Sequence, residues 1–106
     1  MSSDAAVRTD APLCVVVLTY VPDLAAVDAQ LDQHLAWLGR QYADGRVLAS
    51  GRRNPRTGGV IVCRGDRAAV DAIVATDPFI TSGVATAEVI PFIASMAAPD
   101  LAGLLQ

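Results

Sequence analysis

His34 is the only histidine among the 106 residues, and histidine is the side chain best suited to proton transfer near neutral pH. Leu31, His34 and Leu38 follow one another at the three- and four-residue spacing of one helix face. The imidazole should therefore lie on or beside the stripe that faces the protein interior. Such a histidine is either a partly buried ring held by a backbone carbonyl or a proton-transfer group with a carboxylate partner.

Asp77 is the carboxylate that we pair with His34. It directly precedes Pro78 and Phe79, so a stiff turn would hold it and the phenyl ring would partly exclude water. If two helices pack side by side on one sheet, the two side chains can meet. The carboxylate would then fix the imidazole tautomer and leave the second ring nitrogen to take a proton from a ligand. The alternative role for Asp77 is that of a turn former before proline.

Other polar residues could bind a ligand beside this pair. Ser50 lies inside a predicted strand without the strand-turn-helix setting of a nucleophilic serine, so it should donate a hydrogen bond. Arg52, Arg53 and Arg56 crowd a predicted hairpin, where guanidinium groups could bind a planar anion or simply remain solvated. One histidine and no HExxH motif or acidic cluster argue against a catalytic metal.

Composition excludes several classes of protein. The chain is 53% hydrophobic and 18% charged, which favours one compact domain over disorder. All eight basic residues are arginine and the net charge is −3, so a nucleic-acid partner is not expected. The apolar stretches 13–18 and 84–98 are too short or too interrupted to cross a membrane. Charged residues near the N-terminus argue against a signal peptide and predict a cytoplasmic protein.

The elements that must position these residues follow from hydrophobic periodicity and turn signals. A loose lead-in over 1–12 precedes a domain over 13–94, and a tail over 95–106 follows it. The predicted strands are 13–20, 46–52, 59–64 and 88–94, and the predicted helices run from 23 to about 43 and from 66 to 77. Pro91 places the last strand at a sheet edge or a bulge. The order βαββαβ predicts an α+β fold, a ferredoxin-like sandwich.

The two cysteines, Cys14 and Cys63, lie in the first and third strands without a CxxC or histidine neighbour. We read both as buried small hydrophobic residues. We expect these strands to run parallel as central neighbours, with the cysteines roughly 10 to 15 Å apart at 3.3 Å per residue. No disulfide should then form.

The first strand has no polar face, because apolar residues occupy every position from Leu13 to Leu18. Two helices cover one face of a sheet, so the second face needs another cover. Each large aliphatic side chain left in water forfeits about 1.5 to 3 kcal/mol. A homodimer that packs sheet against sheet meets this need. Alternatively, the tail folds back and covers the face with Leu101, Leu104 and Leu105.

A set of short motifs resembles a known family in both order and spacing. They are His34 with Trp37-Leu38 and Gln41-Tyr42, Leu48-Ala49-Ser50-Gly51, Gly58-Gly59-Val60, Asp77-Pro78-Phe79 with Gly83, and Val89-Ile90. Together they resemble the YCII-related (YciI-like) family of dimeric α+β barrel proteins over residues 13–94. One departure is Arg52, where many relatives have proline; an arginine there favours an anionic ligand.

The resemblance implies a ferredoxin-like protomer, a sheet-to-sheet homodimer and a pocket that holds the His34–Asp77 pair. A member of the family is a dehydrochlorinase of chlorinated hydroxyhydroquinones, which implies proton abstraction coupled to elimination without a cofactor. We therefore expect a lyase- or isomerase-type enzyme for a small cyclic or phenolic molecule, with His34 and Asp77 catalytic. The expected ligand-binding residues are Ser50, Gly51, Arg52 and Phe79. The alternative is a non-catalytic homodimer that binds a small molecule in the same pocket.

Overall fold

Four strands form one antiparallel sheet and five helices lie between and after them, over residues 5–105, which the computed structural model describes. The strands are β1 (Val7–Tyr20), β2 (Val47–Arg52), β3 (Gly58–Arg64) and β4 (Ala85–Ala97). The helices are α1 (Leu24–Asp28), α2 (Leu31–Ala43), α3 (Arg67–Val74), α4 (Pro78–Thr81) and α5 (Pro99–Leu104). Across the sheet the order is β2-β3-β1-β4. The α+β, ferredoxin-like prediction is confirmed.

The helix starts follow the predicted caps. The Asp23 carboxylate accepts hydrogen bonds from two backbone N–H groups of α1, and the Asp66 carboxylate accepts one from Ala69 in α3. The single helix predicted to end near residue 43 is instead two helices, α1 and α2, separated by a short turn at Ala29 and Gln30. The apolar spacing continues across that turn, so the sequence pattern does not reveal the break.

Two strands are longer than predicted because they pair with each other. β1 begins at Val7, opposite Ala97 of β4, so residues 7–12 are not a loose lead-in. Residues 1–4 of the predicted lead-in lie outside the described residues. Polar and small side chains in this segment gave no strand signal, but the backbone of a neighbouring strand supplies the hydrogen bonds. β4 is an edge strand, as Pro91 predicted.

The predicted parallel pairing of the first and third strands is wrong. β1 and β3 run antiparallel, and Cys14 lies directly opposite Cys63. The crossover through α1 and α2 makes β2 parallel to β1. β3 then enters by a hairpin from β2, and a hairpin reverses the chain. Both cysteines are buried free thiols.

The second helical region also differs from its prediction. α3 ends at Val74, three residues before Asp77, and a four-residue helix, α4, begins at Pro78. Pro78 occupies the first turn of α4, where a missing N–H costs nothing. Asp77 is therefore the N-cap of a new helix and not only the end of the preceding one.

The core lies between the helices and one face of the sheet. Cys14, Val16 and Leu18 alternate along β1 on that inner face and are at most 1% exposed. The intervening Val15 and Val17 on the outer face are only half-buried. Ile90, the β4 partner of Val15, is 45% exposed, so this part of the outer face is open, whereas Leu13 on the same face is 4% exposed.

The C-terminal helix packs against β1 and β4 at one end of the sheet. α5 packs with Ala102 near the start of β1 and leaves Leu101 and Leu104 exposed. Among residues 5–105, no helix combines the length and the apolar character that a membrane span requires.

Candidate functional site

The structure brings the side chains of His34 and Asp77 together inside the protein. His34 stands in the first turn of α2 and is 7% exposed, whereas Asp77 is fully buried. The imidazole Nδ1 lies 2.7 Å from the Asp77 Oδ1. A carboxylate can only accept, so this bond requires the hydrogen on Nδ1 and leaves Nε2 as the basic nitrogen of the neutral ring.

The turn that carries Asp77 is fixed from two sides. The Phe79 backbone N–H donates to the same Asp77 Oδ1 at 2.9 Å, in the geometry of a helix N-cap. The Trp37 indole N–H on α2 donates to the Thr76 hydroxyl at 2.8 Å. α2 is thereby tied to the chain one residue before the carboxylate, and this link sets the spacing of the pair. Among the described residues, the buried Asp77 Oδ2 has no hydrogen-bond partner.

Aromatic side chains hold the imidazole plane. The Phe79 ring stacks on it with centroids 3.9 Å apart and planes 8° from parallel. The Trp37 ring lies 5.8 Å away at 28°. Phe79 is fully buried and does not line the cavity that His34 reaches. It therefore lies behind the ring and not on the cavity wall where we expected it to meet a ligand.

The opposite side of the imidazole borders a cavity of about 290 Å³ between α2 and the inner face of β1, β3 and β2. Three of the expected ligand-binding residues, Ser50, Gly51 and Arg52, line it with His34. The other lining residues are Leu18, Tyr20, Leu31, Leu35, Leu38, Gly59, Val60 and Ile61. Gly59 pairs with Arg52 across β2 and β3, and a Cβ atom there would lie 3.2 Å from the Gly51 carbonyl oxygen. The cavity is thus mainly apolar, with a few polar groups.

The polar side chains near the cavity differ in whether another side chain already binds them. The Ser50 and Tyr42 hydroxyls lie 2.6 Å apart, so one donates to the other. The Arg52 guanidinium forms no ion pair with any side chain of residues 5–105, whereas Arg56 binds the Asp28 carboxylate at 2.5 Å. Of the three arginines at the predicted hairpin, Arg52 lines the cavity and Arg53 and Arg56 do not.

The sequence indicates only that Tyr20 is a core or cleft-edge residue without an assigned role, and the structure places it in the cavity lining. It follows Leu18 by two positions on β1 and therefore faces the same side of the sheet, which is the signal that could have found it. The α2 leucines of the lining were assigned to the core, and the sequence pattern gave no sign that a cavity separates them from the sheet. No group of three or more histidine, cysteine or acidic side chains in residues 5–105 is placed to bind a metal.

The matches to known proteins agree with the observed fold. The family model of the YCII-related domain matches residues 13–93, which is more than half of the chain. The chain is similar in structure to 5-chloro-2-hydroxyhydroquinone dehydrochlorinase from Burkholderia phenoliruptrix, solved in complex with 2,5-dihydroxybenzoquinone. That likeness has a TM-score of 0.63 at 20% sequence identity and covers 76% of this chain and 90% of the other. No curated protein sequence matches the chain.

Proposed function

We propose a function from one premise: this chain belongs to the YCII-related domain family. The function is proton transfer on a small cyclic or phenolic molecule that ends in elimination or isomerisation, without a cofactor. One observation carries the proposal. A buried imidazole is held by a buried carboxylate through Nδ1, at 2.7 Å, and the same ring borders an apolar cavity.

The proposed chemistry uses the imidazole as a base and the carboxylate to orient it. His34 Nε2 takes a proton from a carbon of the ligand, and the C–H electron pair moves toward an adjacent carbonyl or ring carbon. In an elimination, a leaving group such as chloride departs with its bonding pair. Asp77 stabilises the imidazolium that forms. General acid–base assistance of this kind contributes about 10² to 10⁴ in rate.

The cavity lining supports an anionic ring as the ligand. Arg52 is the cationic side chain of the lining and has no carboxylate partner among the described residues, so it can bind a phenolate or carboxylate. When Tyr42 donates to Ser50, the Ser50 hydroxyl hydrogen remains available for a ligand oxygen. The leucines supply apolar surface for the ring itself.

The structural neighbour suggests the class of reaction that we propose and does not indicate the compound. It is a dehydrochlorinase solved with a hydroxyquinone. At 20% identity the likeness shows the shared fold alone. The residue after Gly51 here is an arginine, and we propose that it sets a different preference at that edge of the cavity.

The assembly we propose is a homodimer in which the outer faces of two sheets pack together. Val15 and Val17 are half-buried there and Ile90 is exposed, so a second copy could bury apolar surface that the described elements leave open. Burying that surface stabilises by about 25 cal/mol per Å² of apolar area.

The test is turnover of a panel of chlorinated hydroxyquinols and related phenols, followed by chloride release and product absorbance. We expect at least one compound to react and His34→Asn to lower its rate about 10²- to 10⁴-fold. Gln33→Asn, an exposed neighbour on the same helix, is the matched control and should react like the wild type.

Two results would reject the enzymatic proposal. Turnover that is unchanged in His34→Asn removes the imidazole from the reaction. Ligands that shift the His34 ring resonances in NMR spectra without any product identify a binding protein of the same fold, which is the alternative function.

A further inference from the structure

Tyr20 is a polar cavity residue that the proposed reaction does not yet use. It stands at the last position of β1, on the inner face, and lines the same cavity as His34 and Arg52. Tyr20 and His34 both contact the Phe79 ring. The Tyr20 ring meets Phe79 edge to face at a centroid distance of 5.5 Å and 78°, while the imidazole stacks on it.

The Tyr20 ring is held in place by several elements. Its backbone N–H donates to the Thr57 carbonyl in the β2–β3 loop at 2.9 Å. The Arg56 guanidinium lies 5.8 Å from the ring centroid and is itself bound to Asp28 of α1. A ring fixed in this way presents its hydroxyl at a defined place, so little conformational entropy is lost when a ligand binds.

The Tyr20 hydroxyl is able to donate a hydrogen bond. Within residues 5–105 no side chain or backbone group hydrogen-bonds to it, in contrast to the Tyr42 hydroxyl, which is bonded to Ser50. Burial raises the pKa of the Tyr20 phenol, and the nearby Arg56 opposes this only in part. The phenol is therefore protonated at neutral pH and can donate.

We propose that the Tyr20 hydroxyl donates a hydrogen bond to the ligand oxygen on which negative charge develops when His34 removes the proton. This inference rests on the proposed function and names the group that stabilises the oxyanion. The C–H bond breaks, the proton goes to His34 Nε2, and the electron pair moves onto the oxygen that Tyr20 contacts. The ligand class is thus a ring with a carbonyl or phenolic oxygen conjugated to the reacting carbon. Tyr20 and Arg52 would bind oxygens of one ring from the inner face of the sheet.

The experiment titrates 2,5-dihydroxybenzoquinone, an oxyanion-bearing ring, into the full chain and follows its visible absorbance. Tyr20→Phe removes one hydroxyl and retains the ring that packs on Phe79, so the melting temperature should stay unchanged. We expect this variant to bind the probe about tenfold or more weakly, because a hydrogen bond to a charged group is lost. Thr19→Val is the matched control, since it removes the adjacent hydroxyl on the outer side of β1 and should bind normally. In fluorotyrosine-labelled protein, the ¹⁹F resonance assigned to Tyr20 should shift when the probe is added.

The possible results distinguish a failure of this inference from a failure of the proposed function on which it rests. If the wild type binds the probe but Tyr20→Phe binds as tightly as Thr19→Val, or the Tyr20 resonance does not move, the donor role is wrong while the His34 chemistry stands. If the wild type does not bind the probe at millimolar concentration, the inference about Tyr20 fails, whereas the proposed function is decided by the turnover panel.

Discussion

The His34–Asp77 pair depends on one oxygen atom that serves two donors. Asp77 Oδ1 accepts from the His34 ring and from the Phe79 backbone, while Oδ2 is buried without a partner among the described residues. A buried carboxylate with so few partners is costly unless those bonds are kept. The pair therefore links the start of α4 to α2, and the same contact would orient the base.

Asp77→Asn should separate the hydrogen bonds of the pair from its charge. Asparagine caps helices well, and its carbonyl oxygen in the place of Oδ1 can still accept from Phe79 and from the His34 ring, so we expect the fold and the tautomer to survive with a loss of about 1 to 3 kcal/mol. The variant lacks the negative charge that would stabilise the imidazolium, which should lower turnover about 10²- to 10⁴-fold. Long-range ¹H–¹⁵N spectra check that the ring hydrogen stays on Nδ1. Asp71→Asn, which changes an exposed carboxylate on α3, is the control. Turnover that Asp77→Asn leaves unchanged would contradict the role of the carboxylate.

The buried Cys63 thiol should make the protein less stable at alkaline pH. Burial raises the pKa of the Cys63 thiol from 9.0 to about 11, with a smaller contribution from Cys14. A raised pKa in the folded state means that the stabilisation is complete below about pH 9 and is lost as the pH rises through about 11. The loss is of order 3 kcal/mol, from about 1.4 kcal/mol per pH unit.

Urea unfolding between pH 8 and 11 measures this effect, and Cys63→Val should flatten the decline. The chain has no lysine, and the raised pKa values of Cys14 and Tyr20 contribute to the decline equally in both proteins, so the difference between the two slopes reports Cys63. Equal slopes in the two proteins would show that the thiol is not responsible.

At the scale of elements, β1 and β3 approach each other so closely at one end that a side chain on β3 would not fit between them. A Cβ atom at Gly58 would lie 1.7 Å from the Leu18 carbonyl oxygen, so the strands meet only because this position is glycine. Gly59 follows it and lines the cavity beside His34. Gly58 therefore allows the hairpin to pack closely on β1.

Gly58→Ala should destabilise the fold by about 1 to 3 kcal/mol or more, because two backbones must move apart. Gly39→Ala is a matched control on the exposed side of α2, where an added Cβ meets nothing within 4 Å. That change should instead stabilise by about 0.5 to 1 kcal/mol, since alanine favours helix more than glycine does. Chemical denaturation measures both, and equal effects would refute the close-approach argument.

At the scale of the whole molecule, the two faces of the sheet differ in what covers them. The inner face packs against the helices, apart from the cavity, while the outer face has half-buried valines and an exposed Ile90. α5 lies near the start of β1 and does not cover Ile90. The proposed second copy of the chain would bury this surface.

Ile90→Arg should convert the proposed dimer into a monomer, because the guanidinium would be buried against apolar surface without a partner. Leu24→Arg is the control, since Leu24 is similarly exposed at 39% but lies on α1, away from the outer face. Sedimentation velocity gives the mass of each protein. A monomeric wild type, or a dimer that Ile90→Arg leaves intact, would rule out this interface.

Much of the fold was predictable because local chemistry determined it. Hydrophobic periodicity located the four strands, Asp23 and Asp66 capped their helices as predicted, and Pro91 indicated the edge strand. These signals depend on neighbours within a few residues, so the sequence alone carries them. The βαββαβ order and the family resemblance depend on the same local patterns.

Only the tertiary structure decided what distant segments do to one another. The strand character of residues 7–12 comes from pairing with β4, and the alignment of Cys14 with Cys63 comes from the direction of a hairpin. The sequence nominated His34 and Asp77 by residue type, but their 2.7 Å contact requires α2 and the turn before α4 to pack together. The same packing of the elements places Phe79 behind the imidazole and Tyr20 in the cavity lining. Periodicity states which face of an element is buried, whereas the packing of the whole chain determines what that face meets.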